Sequence, residues 1–102
     1  MSQIETNPRV RASIEIKEPP MFKIIYINDN QTAMDFVVSS LIEHFEYTPT
    51  TAEKITIDIH EAGSAVVAVL PYEIAEQKGI EITVSARQEG YPLQIKLEPD
   101  TI

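Results

Sequence analysis

Between Phe22 and Phe45 the apolar residues change their spacing once, and that change dictates the local architecture. Phe22, Lys23, Ile24, Ile25, Tyr26 and Ile27 make a β-rich run of the kind a strand uses. Three small polar side chains, Asn28, Asp29 and Asn30, stop it. Met34, Val37, Val38, Leu41, Ile42 and Phe45 then recur at i, i+3, i+4, i+7, i+8 and i+11, one face of a helix. Thr32, three places before Asp35, predicts a capping box in variant form, with Asp where Glu is usual. The short loop is thus held between two rigid elements, where binding side chains concentrate. The same residues also suit an ordinary turn and helix cap.

Thr48 as cap and Pro49 in the first turn predict a second helix. Ile55, Thr56, Ile57, Asp58 and Ile59 alternate like a strand, but the Ala52, Ile55, Ile59, Ala62 spacing and Gly63 as a stop favour the helix. Ser64 to Leu70 reads as a buried strand ended by Pro71. Residues 71–88 read as a third helix, weakened by about 1 kcal/mol at Gly79. Gly90, Tyr91 and Pro92 make a turn, and Leu93, Ile95 and Leu97 alternate with polar residues in a last strand with one wet face. The order β-α-α-β-α-β predicts an α+β two-layer sandwich, a three-stranded antiparallel sheet with helices on one face. Residues 1–18 read as a flexible N-terminal arm, stiffened where it ends at Pro19-Pro20. Val10, Ala12, Ile14 and Ile16 nevertheless alternate as a strand would. Residues 19–102 form the core.

A chain of 102 residues, 43% of them hydrophobic, is expected to form one small domain around one core. No apolar run approaches the ~20 residues that cross a bilayer. No cationic segment leads into an apolar one at the N-terminus, so no secretory signal is expected. The absence of cysteine removes disulfide and thiolate chemistry and fits a reducing compartment; a cytoplasmic location is expected. A net charge of −8, with the basic residues dispersed, argues against a nucleic-acid partner and favours attraction of cationic groups. Asp29, His60 and Glu61 do not amount to an acid–base set without a nucleophile, a Gly-rich phosphate loop or a His/Cys metal spacing. No enzymatic activity, cofactor or metal is expected.

Pro19-Pro20-Met21-Phe22-Lys23, then Asn28-Asp29, Thr32, Met34, Phe36-Val37-Val38 and His60, then Tyr72-Glu73-Ile74-Ala75-Glu76-Gln77-Lys78 and Pro92-Leu93, together resemble the ClpS adaptor family. The resemblance implies the β-α-α-β-α-β sandwich and a monomeric adaptor that does no chemistry. Such adaptors bind proteins beginning with Phe, Tyr, Trp or Leu, the N-degrons, and deliver them to an Hsp100 unfoldase, ClpA or ClpC, of the Clp protease. It implies that Asn28, Asp29 and His60 hydrogen-bond the substrate's α-amino group. Thr32, Met34, Val37, Ile59 and Leu93 would line an apolar pocket, and Glu73 and Lys78 would contact the unfoldase's N-terminal domain. In the family the N-terminal extension is engaged by the unfoldase. Two positions depart from the pattern. Asn30 stands where the family usually has a second Asp, and Thr56, also in the pocket, where the family has a Met that narrows it against β-branched side chains.

The chemistry of these side chains leads to the same ligand. An α-amino group has a pKa near 8 and is mostly cationic at neutral pH. A carboxylate, an amide oxygen and a neutral imidazole supply the acceptors it needs. A Thr hydroxyl turned unpaired into the pocket at position 56 would penalise apolar ligands. Glu73, Glu76 and Lys78 read on charge pattern alone as a solvated helix face. A rival reading keeps the unfoldase surface and drops the amine site, making the chain an inhibitor or decoy that delivers nothing.

Overall fold

The computed structural model describes residues 19–101; the expectation of a flexible arm over residues 1–18 lies outside them. Six elements follow in order: β1 (Met21–Ile27), α1 (Met34–Phe45), α2 (Pro49–Ala62), β2 (Ser64–Pro71), α3 (Tyr72–Gln88) and β3 (Gln94–Pro99). The sheet order is β2-β1-β3, with both pairings antiparallel, so the first strand is the central one. This is the expected sandwich.

Alternate residues of β1 face the helices. Ile24 and Tyr26 are fully buried there, opposite Ala68 and Ala65 on β2 and Leu97 and Ile95 on β3. Leu41 of α1, Ala52 and Ile59 of α2, and Ala75, Ile82 and Ala86 of α3 close the core from above. The Tyr26 hydroxyl donates to Ser40 Oγ at 2.8 Å, and Ser40 in turn donates to the Val37 carbonyl at 2.8 Å. A polar serine on the buried face of α1 is thereby satisfied, and burial pushes the tyrosine's pKa well up.

β2 departs from the buried strand expected. It is a sheet edge with only one face against the helices, and Val66 and Val69 remain exposed. A continuous apolar run does not reveal which neighbours a strand will have. The register slips between Ile24 and Ile25, so Val67 is an extra residue on β2, buried in the core. Its carbonyl accepts from the Tyr47 hydroxyl at 2.6 Å.

Thr48 caps α2 as expected, its hydroxyl accepting from Thr51 N at 3.3 Å. The residues that alternated like a strand lie inside that helix. α3 begins directly where β2 ends, with Pro71 at its cap position and no side-chain hydrogen bond.

Candidate functional site

The loop after β1 is built by Asp29. Its Oδ1 accepts from the backbone N–H of Gln31 at 2.8 Å and of Thr32 at 2.7 Å, and its Oδ2 from the Thr32 hydroxyl at 2.8 Å. The capping box expected at Thr32 is therefore not formed. The cap position is Ala33, with no side-chain hydrogen bond, because the Thr32 hydroxyl is spent backwards on Asp29. Partial burial pushes the Asp29 carboxyl upward. The hydrogen bonds from Thr32 and Gln31, with Arg87 nearby, outweigh it and hold the group below its ordinary range. Three of roughly four acceptor directions are used, which leaves a charged carboxylate with about one to offer.

The end of α2 reaches the same loop. Gly63 ends the helix with φ of 93°, a conformation that costs a glycine little, and its carbonyl accepts from Asn28 N at 2.9 Å. That bond sets Asn28 beside the last turn of α2, where His60 is exposed and Ile59 and Thr56 are buried. The Thr56 hydroxyl is not left unpaired: it donates to the Ala52 carbonyl at 2.8 Å, one turn back. Leu93 arrives from the far end of the chain. Arg87 Nη1 donates to the carbonyls of Tyr91 and Leu93, both at 2.9 Å, and the Tyr91 ring packs edge-on to Phe36 at 5.4 Å. Leu93 is thus pinned just before β3, 2% exposed.

One cavity results. All nine residues expected for the amine site and the apolar pocket line it (Asn28, Asp29, His60, Thr32, Met34, Val37, Thr56, Ile59 and Leu93), and Ile27 joins them. Its free volume is about 20 Å³, room for one water and not for a phenyl ring. Met34, 45% exposed at the rim, is the wall most able to move, since its unbranched thioether has three rotatable bonds. An apolar floor with a carboxylate, an amide and an imidazole at its mouth suits a ligand with a cationic end and an apolar side chain.

Asn30 is exposed and outside the lining. Glu73 and Lys78 do not share a face. Five residues apart, they point roughly 140° apart around the helix axis. Glu73 is exposed in the first turn, whereas Lys78 is half-buried with its ammonium 5.8 Å from the centre of the Phe45 ring. Arg87 escaped the sequence reading, and a basic residue in the last turn of a helix just before a turn was the only signal.

An α+β sandwich whose loops gather acceptors at the mouth of an apolar cavity defines a small ligand-binding module. Residues 17–96 match the family described as ATP-dependent Clp protease adaptor protein ClpS. The chain is 45% identical over 84 residues to the ATP-dependent Clp protease adapter protein ClpS of Nitratidesulfovibrio vulgaris, covering 82% of this chain and 84% of that one. It is 36% identical over 100 residues to ClpS 1 of Bradyrhizobium diazoefficiens, covering 98% and 99%. The solved structure of Agrobacterium tumefaciens ClpS2 bound to L-phenylalaninamide superposes with a TM-score of 0.78 at 34% identity, covering 81% of this chain and all of that one. The chain belongs to the ClpS family, the adaptors of the Clp protease.

Proposed function

We propose that this adaptor binds proteins through a free α-amino group and a bulky hydrophobic N-terminal residue (Phe, Tyr, Trp or Leu) and delivers them to an Hsp100 unfoldase, ClpA or ClpC. The observation that carries this reading is the cavity that joins Asn28, Asp29 and His60 to an apolar floor. The ligand of the Agrobacterium relative, an amino-acid amide with a free amine and a benzyl group, has the chemistry such a cavity suits. Glu73 and Lys78, on neighbouring parts of α3, are the residues we assign to the unfoldase, and the cytoplasm is where we expect the handover.

Magnitudes support a division of labour. Burying a Phe or Leu side chain contributes about 1.5–3 kcal/mol. Micromolar binding needs about 8 kcal/mol. Three hydrogen bonds involving a charged group, at about 1.5–3 kcal/mol each, supply the difference. The amine is therefore the larger determinant.

Fluorescence anisotropy with a Phe-starting peptide and its acetylated twin tests the proposal. Acetylation removes the charge and two donors, so binding should be abolished. Equal affinity for the two forms would refute the reading. An unfoldase pull-down that succeeds while neither peptide binds would establish the decoy instead.

A further inference from the structure

Beside the amine cavity lies a second, larger hollow of about 550 Å³ between α1 and α2. Met34 and Thr56 belong to both. On α2 the cavity uses Thr56, Ile59 and His60, and the hollow uses Glu53, Thr56 and Ile57, so the lining has moved about one turn toward the helix start. One turn is roughly 5.4 Å. Thr56 does not wall one space from the other, because its side chain is short and its hydroxyl is tied to the Ala52 carbonyl.

The hollow has a mixed chemistry. Met34, Val38 and Ile57 give it an apolar strip, and Met34 and Ile57 are 45% and 47% exposed. Asp35 and Glu53 rim it, and neither has a cationic partner among the described residues. Asp35 also sits in the first turn of α1, where a negative charge favours the helix; that account does not extend to Glu53. An apolar strip ending in carboxylates suits a long side chain with a methylene stem and a cationic head.

We propose that this hollow seats the side chain of the substrate's third residue and favours Lys or Arg there. The proposal rests on the amine-anchored mode above. In an extended peptide, residues one and three lie on the same side, roughly 6.6 Å apart, which matches the step from cavity to hollow. The second side chain points away.

The test compares free-amine peptides beginning Phe-Gly-Lys, Phe-Gly-Glu, Phe-Gly-Gly and Phe-Lys-Gly. At low salt, Lys should exceed Glu at the third position by roughly three- to tenfold. The ratio should shrink as salt rises. It should fall to near one in the Asp35→Asn, Glu53→Gln double variant; as a ratio within one protein, it is insensitive to a general loss of binding. A ratio of one in the wild type would refute the third-residue seat while leaving the amine mode intact. A ratio that survives in the double variant would assign the effect to the chain's overall acidity and refute the hollow. A preference carried by the second residue instead would refute the register. Failure of Phe-Gly-Gly to bind at all would overturn both readings.

Discussion

Asp29 holds its own loop with three hydrogen bonds, so its charge is fixed in place before any ligand arrives. Its depressed pKa means that the stability it contributes is present above the ordinary carboxylate range and is lost only as pH falls through the lowered value. Between about pH 5 and 7.5 it stays ionised, and His60 is the amine-site group able to change charge. Protonating that imidazole replaces an acceptor with a like charge facing the ammonium. Peptide affinity should therefore weaken on acidification across this window, and also above about pH 8 as the amine itself loses its proton. His60→Ala should flatten the acid limb at reduced affinity. A flat wild-type profile, by anisotropy in matched ionic strength, would remove His60 from the site. At position 56 the hydroxyl is satisfied internally, so apolar ligands meet no unpaired group there. What remains is a shorter wall than a Met would give. Contacts of this size are worth about 1–3 kcal/mol, so Thr56→Met should raise the Leu-over-Ile affinity ratio by at least tenfold. An unchanged ratio, in a variant whose melting temperature shows it is folded, would mean that Thr56 does not gate branched side chains.

At the scale of elements, Gly79 sits inside α3 facing β3. A Cβ built there would lie 3.8 Å from Ile95 Cγ2, an ordinary contact. Gly79→Ala should therefore stabilise the fold by about 0.5–1 kcal/mol, read as a higher urea midpoint at constant slope. A lower midpoint would show that the helix needs glycine for its approach to the sheet. The elements themselves were legible because each carries its own period: the stripe from Met34 to Phe45, the Thr48-Pro49 start, the alternation of β3. The misread features all depend on what lies opposite. A Thr before a helix looks like a cap until Asp29 is seen to claim its hydroxyl. Ala-Val-Val-Ala-Val looks buried until the strand order makes it an edge. The end of α1 has no glycine to announce it; Glu46 turns left-handed at φ of 59° instead. The site divides the same way. Asn28, Asp29, Thr32 and Met34 are neighbours in sequence, but His60 joins them through the Asn28–Gly63 bond, and Leu93 because β3 lies beside β1 and Arg87 fixes the preceding turn. No spacing in the chain encodes those meetings, and only the family resemblance supplied them beforehand.

For the whole molecule, the cavity is lined only by residues between Ile27 and Leu93, and the hollow beside it by residues between Met34 and Ile57. Peptide capture and handover to the unfoldase should therefore separate along the chain. The position of the cut matters. The Pro20 carbonyl accepts from Tyr72 N at 3.1 Å, where α3 begins, and the Met21 carbonyl accepts from Asp100 N at 2.9 Å beyond β3. A truncation must keep Pro19 and Pro20, or it removes an acceptor from the start of α3. Deleting residues 1–18 and no more should leave affinity for a Phe-starting peptide within about twofold, because no cavity-lining residue is touched. The resemblance assigns this N-terminal extension to engagement by the unfoldase, so the same truncation should abolish Clp-dependent degradation of a Phe-starting reporter in a reconstituted system. Unchanged degradation would show that the extension is dispensable for delivery. A large loss of peptide affinity, with the melting temperature preserved, would show instead that residues 1–18 contribute to the site itself.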